Sequence, residues 1–301
     1  MTQELPPDVI AQLSGLGRAI TPDLVQTTWA LLTPFHEKAG YTAPKVDRDR
    51  AYGDHPRHRL DVHTGAVHTG AEHAGAEQAP VFVFVHGGGF VGGDKHTPGS
   101  PAYDHIGAWA VRNGWVGVNI TYRLAPEHTW PAGAQDVAAA VDWVRANIAD
   151  YGGDPARIVV AGHSAGCVHV ASYVTGQGGG SLDGVRGAGL LSGFYVIPDE
   201  GRGELEQAYY GDAPSQTIST LPGLLTARIP LIFAVAERDP EFSHHQVARL
   251  TQAWMAARNA VPQVIWSEGH NHVSQIGSIG VDDLALGAQL ARFVNRVTEV
   301  S

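Results

Sequence analysis

Short apolar runs rich in valine, isoleucine and phenylalanine recur along the chain, separated by longer stretches in which apolar and polar residues mix at helical spacing. The runs predict strands over 57–63, 81–85, 115–121, 157–161, 185–191, 231–235 and 263–266. Val81-Phe82-Val83-Phe84-Val85 shows no polar alternation, which marks a strand covered on both faces, as in a parallel sheet. The intervening stretches predict helices over 103–112, 134–149, 165–175, 244–259 and 281–298. A helical segment over 8–38 comes first, with Thr21 and Pro22 suited to an N-cap and first helical position. Strands alternating with helices predict a doubly wound, mostly parallel α/β sheet with helices on both faces. The 301 residues are read as one domain: an N-terminal helical segment over 1–40, the sheet, and a small lid insertion over 194–226.

Candidate chemistry gathers where these strands end. The run Arg157-Ile158-Val159-Val160-Ala161 passes into Gly162-His163-Ser164-Ala165-Gly166 and then into a helical stretch. A G-x-S-x-G turn between strand and helix is a nucleophile elbow, whose glycines let the chain bend sharply enough to raise a serine hydroxyl above the sheet. Five letters alone are weak evidence in a chain with 37 glycines, so the context decides. The 81–85 strand runs into His86-Gly87-Gly88-Gly89-Phe90, where glycines leave backbone N–H groups bare, as an oxyanion hole requires. A dinucleotide phosphate cradle is disfavoured, because no acidic ribose-binding position follows. The 231–235 strand is followed by Glu237 and Asp239, and the last strand leads into a loop carrying His270 and His272. Asp239 is preferred as the acid because Glu237 still belongs to the strand end. Either imidazole can serve as base on this reading. The chain order serine, acid, histidine is that of α/β-hydrolases.

These motifs, together with Tyr122-Arg123-Leu124-Ala125-Pro126-Glu127, Pro131-Ala132, Asp136 and Asp239-Pro240, resemble the hormone-sensitive-lipase-type esterases and their bacterial carboxylesterase and kynurenine-formamidase-like relatives. The resemblance runs over roughly 55–300. It implies that Ser164 attacks an ester or amide carbonyl and that Asp239 orients the histidine. It further implies that Gly88, Gly89 and Ala165 donate backbone N–H groups to the oxyanion. It also favours His272 over His270, since the family often places Asn-His before an apolar residue, as in Asn271-His272-Val273. The N-terminal segment around 27–35 is expected to line the substrate pocket. Ser164 carries the expected function: a serine carboxylesterase acting on small esters through an acyl-enzyme, with an arylformamidase-type amide hydrolase as the alternative. A non-catalytic binding protein on the same scaffold is the third class, disfavoured because both histidines are present.

Other features narrow the picture without adding chemistry. His58, His63, His68 and His73 recur every five residues, a step that rotates ligands apart on a helix and alternates them on a strand, so no metal site is expected. Their near-repeats predict a low-complexity hairpin extension. Asp199, Asp212, Asp282 and Asp283 have no strand end behind them and are expected to be solvated. His86 is read as an anchor for the glycine loop, and Cys167, the only cysteine, as buried packing that fits a cytoplasmic setting. No cofactor motif appears. A formal charge of −10 argues against nucleic acid, and no apolar stretch reaches the length of a membrane span. The last strand is available to pair across a homodimer.

Overall fold

The computed structural model describes residues 4–65 and 78–299. His68, His73 and most of the predicted hairpin extension lie outside the described residues. The sheet has eight strands: β1 (Lys45–Ala51), β2 (Arg59–Thr64), β3 (Ala79–Val85), β4 (Val116–Ile120), β5 (Gly153–His163), β6 (Val185–Leu191), β7 (Leu231–Arg238) and β8 (Val264–Asn271). Their order is β1-β2-β4-β3-β5-β6-β7-β8. The β1–β2 and β2–β4 pairs are antiparallel and the rest of the sheet is parallel.

The unalternating run of β3 is explained by what lies on each side. Val81, Val83 and Val85 join a core with α4 (Ala132–Asn147), α5 (Ala165–Val174) and α9 (Glu241–Arg258). Phe82 and Phe84 face the opposite core, built with α3 (Asp104–Arg112), α10 (His272–Gly277) and α11 (Ala288–Thr298). Both faces are therefore dry, and apolar side chains are favoured at every position of the central strands.

Four boundaries differ from the sequence expectation. β1 was not foreseen because Lys45-Val46-Asp47-Arg48-Asp49-Arg50-Ala51 is almost wholly polar. It is an edge strand held by backbone pairing and by Arg48, whose guanidinium reaches Asp61 at 2.7 Å and Asp104 at 2.6 Å. The 8–38 segment is two helices, α1 (Pro7–Gly15) and α2 (Pro22–Ala39). Between them Gly17 takes φ +86°, and the Thr21 hydroxyl accepts the Leu24 N–H as an N-cap, as expected. The 281–298 helix begins as a turn of π-helix, Asp283–Gly287, before α11. Finally, the histidine loop is not a loop: β8 continues to Asn271 and α10 starts at His272. Within 194–226 the chain forms α6 (Glu204–Tyr210), α7 (Ser215–Ile218) and α8 (Leu221–Thr226).

Register then aligns the strand ends. Val85 pairs with Gly162, Gly162 with Leu190, and Leu191 with Ala234, so the segments after β3, β5, β6 and β7 emerge at one sheet edge.

Candidate active site

The elbow is built by close backbone approach. A Cβ on Gly162 would collide with the Gly166 carbonyl, and one on Gly166 with the Val85 carbonyl, so each glycine is required by packing. Ser164 sits at φ 56°, ψ −123°, a strained conformation for a side chain, and its N–H is fixed to the Leu191 carbonyl at 3.0 Å. It is the one partly exposed residue of Gly162–Gly166. Its hydroxyl forms no hydrogen bond within the described part of the structure.

Asp239 lies directly beyond β7 and is fully buried. Its Oδ1 meets His272 Nδ1 at 2.5 Å, while Oδ2 accepts the Ala236 N–H at 2.7 Å and the Ser192 hydroxyl at 2.6 Å. Burial alone would raise the pKa of this carboxyl. The charge and hydrogen bond of His272, with the Ser192 and Ala236 donors, outweigh it and hold the group below its ordinary value. His163 links this pair to the elbow: its Nε2 lies 3.0 Å from the His272 carbonyl and its ring centroid 4.6 Å from that of His272. Burial lowers the His163 pKa to about 3, so the ring is neutral and donates from Nε2.

The two candidate bases are separated by the turn between them. Asn271 ends β8, and its side-chain oxygen accepts the Val273 and Ser274 N–H groups, starting α10. His272 is thereby turned toward Asp239. His270 points elsewhere, with Nδ1 3.1 Å from the Ser274 hydroxyl and Nε2 3.5 Å from Asp282. Asp282 is buried beside it, correcting the expectation of a solvated carboxylate; it lies against an imidazole inside the protein. Asp199 is exposed, as expected. Glu237 is occupied in holding the Gly269 N–H at 2.8 Å.

Gly88 and Gly89 take φ +136° and +61°. A Cβ on Gly87 would stand 3.2 Å from the Ser164 Cβ, placing the glycine loop against the elbow. Ala165 opens α5, where the first N–H groups have no helical acceptor. His86 stacks on Tyr122 with centroids 4.4 Å apart and lies 2.6 Å from the Gly87 carbonyl through Nδ1, securing the loop from beneath. Asp136 takes the Arg123 N–H at 2.7 Å and His58 Nε2 at 3.0 Å, so that motif fastens the segment after β4 to α4. Cys167 is buried, and burial pushes its thiol up to about 12, far from a thiolate.

Over the elbow, Phe90, Ala165 and Val168 pack with Phe194, Ile197, Tyr209, Tyr210 and Ile218. Leu205 of α6 leans onto Gly89. The N-terminal helices brace α10 from behind: Asn271 Nδ2 donates to the Leu13 carbonyl and Thr28 hydroxyl, and His36 Nε2 lies 2.6 Å from the Gly277 carbonyl. Ligand atoms of Asp61, His63 and Asp104 lie within 4.8 Å of one another. Arg48 and Lys95 already neutralise those carboxylates, with Lys95 at 3.0 Å from Asp61, so the donor set does not fit a metal ion. Ser192 is the site residue that sequence reasoning missed. Its only signal was a polar residue directly after the apolar run of β6.

The BD-FAE family matches the chain over residues 70–185. Esterase LipC of Mycobacterium tuberculosis is 40% identical over 160 residues, covering 52% of this chain and 36% of LipC. Carboxylesterase NlhH of the same organism is 52% identical over 89 residues, 29% of this chain and 26% of NlhH. The matched stretches thus span about a third and about a quarter of those relatives. An esterase from the archaeon Pyrobaculum calidifontis superposes with a TM-score of 0.65 at 22% identity, covering 97% of this chain and 98% of that one. A structure described as bacterial heroin esterase gives 0.69 at 20% identity, covering 98% of both chains.

Proposed function

We propose that this chain, an α/β-hydrolase by fold, is a serine carboxylesterase that cleaves small carboxylic esters through an acyl-enzyme. The observation that carries the reading is the buried 2.5 Å contact between His272 Nδ1 and Asp239 at the same sheet edge as the strained Ser164 elbow. In this mechanism His272 Nε2 takes the Ser164 proton as Oγ bonds to the ester carbon. Asp239 remains a carboxylate and stabilises the imidazolium. The carbonyl oxygen becomes an oxyanion held by the N–H groups of Gly88, Gly89 and Ala165, and each such donor typically supplies about 3 kcal/mol. Collapse expels the alcohol, which receives the proton from His272. Water, deprotonated by His272, then adds to the acyl carbon and releases the acid and Ser164.

The 194–226 segment is assigned as a small cap on a single 301-residue domain. Its modest length suits short or medium acyl groups better than long chains. The esterase names of the relatives lend weight to ester substrates, and nothing in them favours the formamide alternative. No helix of the described residues is long and apolar enough to cross a membrane. A cytoplasmic setting is consistent with Cys167 as a buried free thiol. Pairing of β8, an edge strand with Trp266 half exposed, offers a route to a homodimer. The reading is tested with p-nitrophenyl esters of increasing chain length alongside N-formylkynurenine. The expected result is a maximum kcat/KM at short or medium acyl length, with the formamide turned over far more slowly. A formamide preferred over every ester would overturn the ester assignment.

A further inference from the structure

We propose that Ser192 is a positioning residue for the triad, holding Asp239 in a buried polar chain that runs Asp239, Ser192, Gln275, Ser267. The proposal rests on the triad reading above. Ser192 leaves β6 at φ +48°, a conformation that favours glycine, so the backbone pays strain to keep a side chain here. Its N–H is tied to the Ala234 carbonyl at 2.9 Å, and its hydroxyl oxygen lies 2.6 Å from Asp239 Oδ2 and 2.7 Å from Gln275 Oε1. Gln275 Nε2 in turn donates to the Ser267 hydroxyl at 3.2 Å. All four residues are buried.

A serine hydroxyl has one hydrogen, and an ionised carboxylate can only accept, so the Ser192 hydrogen belongs to Asp239. The hydroxyl thus stands between two acceptors, Asp239 Oδ2 and Gln275 Oε1, and its one hydrogen favours the charged carboxylate. The Ser192 hydroxyl and the Ala236 N–H both donate to Asp239 Oδ2. Elements far apart in sequence, the ends of β6 and β7, the middle of β8 and the helix α10, are linked through this chain. That fixes the rotation of Asp239 and draws charge away from the oxygen facing His272.

Removing the hydroxyl therefore frees the carboxylate to turn and concentrates its charge on His272, making the imidazolium easier to form. The other titratable groups around the pair are His163 against the His272 ring, Arg18 on the Asp239 carbonyl at 3.0 Å, His244 on the Ala236 carbonyl at 2.9 Å, and the Glu237–Arg238 pair. The substitution leaves them in place. Ser192→Gly suits the positive φ and keeps the fold, while Ser192→Ala keeps the strain and loses the same hydroxyl. In both, kcat on a p-nitrophenyl ester is expected to fall about tenfold with KM changed less than about twofold. The acid limb of the pH profile is expected to move to higher pH by about half a unit. Wild-type kcat and pH profile in the folded Ser192→Gly protein overturn the proposal. Ser164→Ala is measured in parallel: activity retained there defeats the triad reading itself, whereas an inactive Ser164→Ala beside an unaltered Ser192→Gly defeats only the role of Ser192.

Discussion

Ser164→Ala and His272→Ala are each expected to lose about 10⁴- to 10⁶-fold in kcat, equivalent to about 5–8 kcal/mol of transition-state stabilisation, with folding preserved. The magnitude follows from cooperation. Without the hydroxyl there is no acyl-enzyme, and without the imidazole the hydroxyl keeps its proton, so either loss disables the pair. Ser164 is partly exposed, so its truncation opens no large core cavity, whereas His272 is buried against Asp239 and its truncation is expected to cost stability without abolishing the fold. His270→Gln is the contrasting variant. It keeps a polar group beside Ser274 and Asp282 and is expected to retain kcat within about tenfold, because that ring does not meet Asp239. Steady-state kinetics on one p-nitrophenyl ester, with thermal denaturation of each variant, check the series. An inactive His270→Gln beside an active His272→Ala would reverse the assignment of the base.

The second large effect is on stability below neutral pH. Burial lowers the pKa values of His36, His63 and His86 to about 4, and of His105, His163 and His169 to about 3. In the unfolded chain each imidazole takes its proton near pH 6.5. Between about pH 6.5 and 4 the unfolded state therefore binds more protons than the native state, and stability falls as pH falls. Six such groups give a limiting slope of about 8 kcal/mol per pH unit, against a total stability of about 5–15 kcal/mol for a typical domain. Protonation also reduces the formal charge of −10, but relief of dispersed surface repulsion is small beside six buried imidazoles. The carboxyl of Asp239, held below its ordinary value, loses its contribution only at more acid pH. Tm is expected to hold near pH 7 to 8 and collapse between about pH 6 and 4.5 in a cooperative transition with uptake of several protons. A Tm that stays level down to pH 4 would show that these rings are protonated within the fold.

Much of this architecture could be read from the chain because the parallel sheet is dry on both faces. The β3 and β5 runs carry apolar residues at both parities, and Gly88, Gly162 and Gly166 beyond them are demanded by backbone contacts that no larger residue permits. β1 was illegible for the opposite reason, since its place depends on Arg48 meeting Asp61 and Asp104, partners distant in sequence. His270 and His272 could not be separated by periodicity, because positions two apart share a face on a strand. They diverge only because the Asn271 side chain ends the strand and starts a helix between them. The His270–Asp282 pair and the Ser192 chain were hidden for the same reason as β1: each is a contact between separate elements, specified by register rather than by local pattern.

The central claim is that Ser164 is a nucleophile activated by His272 and oriented through Asp239. Its most direct test is to treat the protein with a fluorophosphonate and map the adduct by peptide mass spectrometry. One phosphonyl group on the peptide containing Ser164, with labelling greatly slowed in His272→Ala, is the result expected. Labelling on another residue, or equal labelling of Ser164 with and without the His272 ring, would contradict it.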